Sequence, residues 1–210
     1  MASVRGTKTD QLGAVILAGG KSTRLLDKCF STLENKELIV HVFEEIHDVT
    51  QEIVIVAKSP EQARRLQHLL PAARIVTDEM KEQSPLIGLL AGLRAITAPY
   101  VFAAACDTPF IKPDVIRFLF QRAIGNAGAV MIGDRRMLEP ICAVYRRDSA
   151  LRAAAQSIGN KQMSMLEMVR KLGKLARVPE EEVRKVDPQL LTFRNINTPE
   201  DLASARDSTI

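Results

Sequence analysis

The chain has 210 residues, of which 46% are hydrophobic, 26% are charged and only 4% are aromatic, and its formal net charge at pH 7 is +4. This length suits one α/β domain, residues 1–210, in which residues 1–12 are expected to be flexible. A small net charge with few aromatic side chains argues against a nucleic-acid surface, which needs basic clusters and stacking residues. A small polyanionic ligand is compatible with the same composition.

The sequence also predicts a cytoplasmic protein without a membrane partner. Residues 1–12 are polar and lack the apolar core of a signal peptide, and no later apolar run approaches the length of a membrane span. Cys29, Cys106 and Cys142 are widely separated and odd in number. Reduced thiols are therefore expected rather than a disulfide framework or a metal knuckle.

The first pattern along the chain is a strand followed by a glycine loop. From Gly13 the sequence reads G-A-V-I-L-A-G-G-K-S-T-R-L-L-D-K, in which the apolar run Ala14–Leu17 is typical of a buried parallel strand. Gly19 and Gly20 allow a positive φ and lack the Cβ atoms that keep a ligand away from backbone N–H groups. The loop adds three cations and two hydroxyl groups: Lys21, Arg24, Lys28, Ser22 and Thr23. Together these residues predict a polyphosphate cradle, whereas two glycines alone would indicate only a turn.

Two better-known phosphate-binding loops do not fit this stretch. A Walker A loop that ends at Gly20 to Ser22 requires a glycine where Val15 stands. The dinucleotide-binding fingerprint requires a glycine where Thr23 stands. The cradle is therefore of another type.

Helical spacing and apolar runs then predict alternating helices and strands. The predicted elements are a helix over Glu37–Val49, a strand over Ile53–Ala57, a helix from the N-cap Ser59 to Leu70 and a strand over Ala73–Thr77. Asp78 follows this third strand, and Pro85 and Gly88 mark a turn and a helix start shortly after it. Ligands bind at the carboxyl ends of strands in open parallel sheets, although a purely structural loop would read the same way.

Asp107 is the best candidate for a metal ligand. It follows Tyr100–Cys106, the most hydrophobic of the predicted strands. A carboxylate at the carboxyl end of a buried strand lies over the ligand crevice, where it needs a cation or a donor. Magnesium prefers one or two carboxylates together with phosphate oxygens and water. The alternative role of Asp107 is to cap the turn before Pro109.

The remaining segments continue the alternation. They are a helix from Lys112 to about Gly125, a strand over Ala127–Ile132, charged hairpin residues from Gly133, a strand over Glu139–Tyr145, helices over Asp148–Ile158 and Ser164–Leu172, and a small strand over Leu175–Val178. One or two strand residues near Phe193 then lead to Thr198, the predicted N-cap of a last helix. Capping does not explain Asn195 and Asn197. The whole pattern predicts a doubly wound, mainly parallel sheet with helices on both faces, in which the segment of Val144 contributes an antiparallel strand.

The glycine loop resembles the signature of the molybdenum cofactor guanylyltransferase family, L-A-G-G-x-S-x-R-M-G-x-D-K. The matching residues are Leu17, Ala18, Gly19, Gly20, Ser22, Arg24, Asp27 and Lys28. Leu26 stands where the family has glycine, and the segment between Arg24 and Lys28 is one residue shorter. Three later motifs also match, namely the P-L-x-G of the helix start, the C-D-T-P that contains Asp107 and the N-x-N-T-P that contains Asn197.

This resemblance implies a three-layer, Rossmann-like fold of the nucleotide-diphospho-sugar-transferase type. It implies transfer of GMP from GTP to the terminal phosphate of a molybdopterin-type cofactor, with Mg²⁺ as the metal and other molybdenum cofactor biosynthesis proteins as candidate partners. The implied catalytic residues are Arg24, Lys28 and Asp107, the last of which is also the metal ligand. The implied nucleotide-binding residues are Leu17, Ala18, Gly19, Gly20, Lys28, Asp78, Leu86, Gly88, Asp107 and Asn197.

The acceptor side is less specified by the sequence. The P-I-C-A-V-Y segment that starts at Pro140 resembles the family's acceptor side. Candidate contacts for an anionic acceptor are Arg135, Arg136, Arg146 and Lys161. Two alternatives stay open: a sibling enzyme, such as a molybdenum cofactor cytidylyltransferase or a cobinamide-phosphate guanylyltransferase, and a nucleotide-binding regulatory module without turnover.

Overall fold

The computed structural model of the protein describes residues 11–19, 27–78, 80, 82, 84–134 and 136–207. Its strands are β1 (Leu12–Leu17), β2 (Thr32–Leu33), β3 (Lys36–Glu37), β4 (Glu52–Ala57), β5 (Arg74–Thr77), β6 (Tyr100–Ala105), β7 (Gly128–Ile132), β8 (Leu138–Arg146) and β9 (Ala176–Pro179). Its helices are α1 (Leu38–His47), α2 (Pro60–Leu69), α3 (Pro85–Ala95), α4 (Pro113–Ala123), α5 (Arg147–Gly159), α6 (Met165–Lys171), α7 (Glu180–Val183) and α8 (Pro199–Asp207). Short 3₁₀ turns cover Lys28–Phe30 and Leu191–Phe193.

Seven of these strands form one mixed sheet in the order β5-β4-β1-β6-β8-β7-β9. The pairs β5-β4, β4-β1, β1-β6 and β7-β9 are parallel, and β8 is antiparallel to both of its neighbours. This arrangement confirms the predicted mainly parallel sheet and the antiparallel strand that contains Val144.

Helices cover both faces of the sheet, which confirms the three-layer architecture. Ala14 and Ile16 of β1 face one apolar core, which contains side chains of α1, α2 and α4. Val15 and Leu17 face the other core, which is formed with α3, α5 and α6. Because β1 is buried on both faces, its sequence is continuously apolar rather than alternating.

The order of the strands creates a crevice between β1 and β6. From β1 the chain moves outward to β4 and β5, and it then returns to the other side of β1 to form β6. Leu17 pairs with Ala105 at the carboxyl ends of these two strands, and the Cys106 amide donates to the Leu17 carbonyl at 3.0 Å. Ligands of open α/β sheets bind at such a point, where neighbouring connections leave in opposite directions.

Local capping explains where several helices begin. The Ser59 hydroxyl accepts a hydrogen bond from the Gln62 amide at 3.2 Å, and Pro60 follows at the first helical position. Ser164 caps α6 in the same way, and the Thr198 hydroxyl accepts from the Asp201 amide at 3.1 Å at the start of α8. These three predicted N-caps are confirmed.

Other local predictions are wrong or incomplete. The expected strand residues near Phe193 form a 3₁₀ turn instead, and the carboxylate of buried Asp187 accepts from the Thr192 amide at 2.9 Å and holds this turn. The β2-β3 hairpin and helix α7 were not predicted. No helix in the described part of the chain is long and apolar enough to cross a membrane.

Candidate active site

Three polar side chains from distant parts of the chain meet at the carboxyl ends of β1 and β6. The Lys28 ammonium donates to Asp107 Oδ2 at 2.5 Å and to Asn197 Oδ1 at 2.8 Å. Lys28 opens the 3₁₀ turn after the glycine loop, Asp107 follows β6, and Asn197 lies just before α8. The sequence proposed all three as nucleotide-binding residues, and the fold brings them into direct contact.

Asp107 is held firmly at this point. Its backbone carbonyl accepts from the Ile196 amide at 2.8 Å, which also fixes the segment that carries Asn197. The exposed fraction of its side chain is 19%, and that of the Lys28 side chain is 12%. While Oδ2 faces Lys28, Oδ1 is buried and has no hydrogen-bond partner among the residues that the structure describes. A buried carboxylate oxygen without a partner is costly unless a ligand satisfies it.

A cavity of about 260 Å³ opens beside Asp107. One wall contains Leu17 and Gly19 from the end of β1 together with Pro85 at the start of α3. The other wall contains residues 139–142 of β8, and Phe193 and Asn195 complete the lining. The cavity therefore joins the glycine loop, the predicted nucleotide segment and the predicted acceptor segment in one space.

Gly19 owes its identity to close packing rather than to an unusual backbone. It does not have the positive φ that the sequence allowed, because Gly125 alone among the described glycines has one. A Cβ atom on Gly19 would lie 3.2 Å from Lys58 Cβ, which is tighter than an ordinary contact. The residue thus lets the end of β1 pass close to the segment that follows β4.

The side chain of Gln62 supports the start of the loop from below, and the sequence analysis missed it. Its Nε2 donates to the Ala18 carbonyl at 3.2 Å and to Cys29 Sγ at 3.3 Å, and its Oε1 accepts from the Lys58 amide at 2.7 Å. Gln62 is only 4% exposed. A glutamine four residues before the buried Leu66 on α2 was the available signal, because these two positions share one face of a helix.

Asp27 anchors the far end of the loop. Its carboxylate accepts from Lys58 Nζ and from Arg65 Nη1, both at 2.7 Å. The hydrogen bond from Lys58 is the main reason why the pKa of Asp27 lies below its usual value. The backbone of Asp27 is left-handed, with φ of 51°. The family's motif has its glycine earlier, where Leu26 stands in this chain, and Leu26 lies outside the described residues.

The predicted nucleotide residues on the other side of β1 have different surroundings. Leu86 is fully buried in the core under α3, and a Cβ atom on Gly88 would lie 3.2 Å from Leu17 Cδ2. The Leu86 side chain therefore faces the sheet and Gly88 has none, so the backbone of these residues is what they can offer a ligand. Asp78 follows β5, and burial raises the pKa of its carboxyl group against the opposing effect of the Met80 amide.

Gly20 and Arg24 lie outside the described residues, as does Arg135. Arg146 is at the wrong end of the sheet for an acceptor contact, because its partner Tyr100 is the first residue of β6 and Asp107 follows the last. Glu139 was missed as an individual residue, although it lines the cavity within the predicted acceptor segment. Burial raises the pKa of its carboxyl group.

All three cysteines are free and buried. Cys29 follows Lys28, and Cys106 precedes Asp107. Their thiols contact each other, and this contact together with burial holds the pKa of Cys106 above its usual value. The thiols therefore form part of the packing directly under the ion pair.

A three-layer α/β fold in which Lys28 and Asp107 pair over the crevice between β1 and β6 fits an enzyme that binds the phosphates of a nucleotide. The family model for the MobA-like NTP transferase domain matches residues 14–175. The chain belongs to this family.

Known proteins of similar sequence and structure agree with this assignment. The chain is 33% identical over 198 residues to a molybdenum cofactor guanylyltransferase of Desulfosudis oleivorans, an alignment that covers 93% of this chain and 95% of the relative. The crystal structure of molybdopterin-guanine dinucleotide biosynthesis protein A from Archaeoglobus fulgidus superposes with a TM-score of 0.81 at 28% identity, covering 94% of this chain and 98% of the other. A CMP:2-keto-3-deoxy-manno-octonic acid synthetase shares the fold at 16% identity with a TM-score of 0.71, covering 95% and 98% of the two chains.

Proposed function

We propose that the protein transfers GMP from GTP to the terminal phosphate of a molybdopterin-type cofactor, forming a guanine dinucleotide cofactor and releasing pyrophosphate. The observation that carries the proposal is the contact of Lys28 with Asp107 and Asn197 beside the cavity. Relatives named molybdenum cofactor guanylyltransferase, at about a third identity over most of their length, support the same activity.

In this proposal the glycine loop and Lys28 bind the triphosphate. Gly19 brings backbone close to the cavity, and Lys28 is a point charge that can shift its donors from Asp107 and Asn197 to phosphate oxygens. Gly20 and Arg24 extend the same binding surface in the prediction from the sequence. Leu17 and Ala18 contribute backbone at the end of β1.

Asp107 is suited to be the proposed ligand of Mg²⁺. Its buried Oδ1 has no hydrogen-bond partner in the described part of the chain, although a carboxylate oxygen accepts readily. A single carboxylate ligand suits Mg²⁺, which takes one or two carboxylates and completes its shell with phosphate and water oxygens. When bound, Mg²⁺ would neutralise negative charge on the phosphates.

Positioning and charge neutralisation are the main tasks of these residues. The acceptor is a phosphate that is already ionised, so no side chain has to remove a proton from it. Lys28 stabilises charge that develops on the phosphate oxygens, and Asp107 and Asn197 orient Lys28. Pro85 and residues 139–142 form the walls on either side of the space proposed for the reacting phosphates.

The base is proposed to lie against the backbone between residues 83 and 88. Because the Leu86 side chain faces the core and Gly88 has no side chain, selection would come from main-chain carbonyls. Guanine presents N1–H and a 2-amino group to such acceptors, whereas adenine and cytosine do not present that pair. Sites that hydrogen-bond a group reject analogues lacking it, because buried acceptors are then left unpaired.

The proposal is tested by incubating the full chain with magnesium, a molybdopterin-type acceptor and each of GTP, ITP, ATP and CTP, while released pyrophosphate is measured. We expect GTP to be the best substrate, ITP to be weaker because it lacks the 2-amino group, and ATP and CTP to be far weaker. A preference for CTP would assign the protein to the cytidylyltransferases. Binding of GTP without release of pyrophosphate, whichever acceptor is added, would favour a regulatory module.

A further inference from the structure

A second cavity of about 490 Å³ lies at the other end of the strands from Asp107, near the first residue of β6. It is bounded by Arg146 at the end of β8, by one side of α5 and by residues 171–174 after α6. The six residues of β6 separate the two cavities, a distance of about 20 Å at 3.3 Å per residue. No ligand could touch both Asp107 and this second cavity through the sheet.

Four cations line the second cavity, and no Asp or Glu is among its lining residues. We call it the basic groove, defined by Arg146, Arg152, Lys171 and Lys174. Within the described part of the chain the side chains of Arg146, Arg152 and Lys174 have no hydrogen bond or ion pair, and Lys171 donates to Gln162 at 2.5 Å. The groove therefore gathers positive charge that the protein itself does not neutralise.

Nearby acids do not compensate this charge because other arginines bind them. Asp148 pairs with Arg147 at 3.0 Å, and Glu167 pairs with Arg170 one turn further along α6. Like charges held close together repel each other, and the repulsion is relieved when an anion binds between them. The positive charge of the groove is thus not balanced by the described acidic side chains near it.

The groove is built on ordered backbone rather than on a loose loop. Ser149, Arg152 and Gln156 lie three and four residues apart on α5, so they share one face. The floor is closed by two backbone hydrogen bonds, from Ala127 to the Lys174 carbonyl at 2.7 Å and from the amide of Arg146 to the Ala127 carbonyl at 3.0 Å. The backbone that carries the donors is therefore already ordered before a ligand binds.

We propose that the basic groove is a second binding site, for a small molecule that carries clustered phosphate groups. Guanidinium groups bind phosphate with two parallel hydrogen bonds, and Lys174 adds a mobile point charge. The Ser149 hydroxyl and the Gln156 amide add neutral donors on the same wall. No aromatic side chain lines the groove, whereas a nucleic-acid strand is bound on stacking aromatic side chains. This inference is independent of the proposed guanylyltransferase activity.

The test follows amide chemical shifts of the ¹⁵N-labelled full chain during titration with sodium tripolyphosphate at low ionic strength. We expect one set of shifts at residues 125–127, 146–156 and 171–174, separate from any set at the catalytic cavity. Arg152→Gln/Lys174→Gln should raise the groove's dissociation constant for tripolyphosphate by about tenfold or more, since two charge-assisted contacts are lost. The shifts near Asp107 should be retained in this variant.

The matched control is Arg64→Gln/Lys185→Gln, which removes one exposed arginine and one exposed lysine from α2 and from the turn after α7. It should change the groove's dissociation constant by less than about twofold, because long-range charge effects are screened. Equal weakening of binding by both double variants would indicate a general charge effect and overturn the proposal, as would shifts confined to the catalytic cavity.

Two further titrations identify the ligand. A tetraglutamate peptide that binds as tightly as tripolyphosphate would overturn the phosphate assignment. A parallel titration with GTP distinguishes the source: GTP shifts at the same amides indicate a nucleoside triphosphate, and shifts with tripolyphosphate alone indicate an inorganic one.

Discussion

Asp27 and Lys28 are neighbours in the chain, yet their side chains belong to two different regions. Asp27 forms an exposed ion-pair cluster with Lys58 and Arg65, in which 33% to 49% of each side chain is accessible. Lys28 forms a largely buried pair with Asp107 on the other side, where at most 19% of either side chain is accessible. Water therefore screens the second pair less than it screens the first cluster.

This difference separates anchoring from chemistry. The exposed cluster positions the end of the glycine loop with little net free energy, because exposed ion pairs contribute little to stability. The charges of the buried pair would bind a phosphate and a metal during the reaction. Loss of this pair should therefore lower kcat more than it lowers the free energy of unfolding. Variants on the two sides should therefore differ in which measurement they change.

The largest expected effect is that of Asp107→Asn. The amide has the same shape but brings no negative charge to the metal, so kcat for pyrophosphate release should fall on the order of a hundred- to a thousand-fold. The protein should stay folded by circular dichroism. The control is Asp114→Asn at the start of α4, where an exposed carboxylate pairs only with Arg117. Near-normal turnover of Asp107→Asn at saturating magnesium would contradict the proposed metal ligand.

Gln62→Leu should have an intermediate effect, on stability and on nucleotide binding together. It leaves the Ala18 carbonyl and the Lys58 amide without their present partners in a buried site, so the free energy of unfolding should fall by about 1 to 3 kcal/mol. Urea denaturation measures this change. Gln67→Leu on the same helix is the control, because Gln67 is exposed and its Nε2 donates only longer hydrogen bonds to the Pro71 and Ala73 carbonyls, at 3.2 and 3.4 Å among the described residues, so the change should stay within about 0.5 kcal/mol. Equal effects of the two variants would show that Gln62 does not support the loop.

The smallest expected effect is the pH dependence contributed by Asp27. Because its folded pKa is lowered, chiefly by the hydrogen bond from Lys58, Asp27 adds stability above the unfolded pKa, and this stability is lost as pH falls through the folded pKa. Solvent screening limits the contribution to about 0.5 to 1 kcal/mol. The difference in unfolding free energy between wild type and Asp27→Asn should be constant from pH 7 to 5 and shrink below about pH 4. A difference that grows on acidification would have the wrong sign for this account.

The fold was largely predictable because its strongest signals are long and periodic. Val15 and Ile16 sit in a continuous apolar run, which is typical of a strand buried on both faces, and Ser59 with Pro60 marks a helix start. Short elements gave weaker signals. The β2-β3 hairpin has only two residues in each strand, and its turn depends on positive φ values at Glu34 and Asn35, of which only Asn35 is a usual turn residue.

The candidate site was predictable only in part. Lys28, Asp107 and Asn197 carry motifs that suggest their roles one by one, but periodicity does not say that their side chains touch. The contacts of Gln62, Lys58 and Arg65 with the loop could not be predicted in this way, because each crosses between elements that are adjacent only in the folded sheet. Gly19 does not use the positive φ that the sequence allows, because a close approach to Lys58, rather than a left-handed backbone, favours glycine there.

The wide separation of the three site residues along the chain has a consequence for biogenesis. Asp107 lies 79 residues and Asn197 lies 169 residues after Lys28. Contacts between such remote positions form late in folding, because closing long loops loses chain entropy before contacts reward it. During synthesis from the amino terminus, Asn197 leaves the ribosome well after β1 and β6 are available to pair. The nascent chain thus carries an incomplete phosphate site until Asn197 has been synthesised.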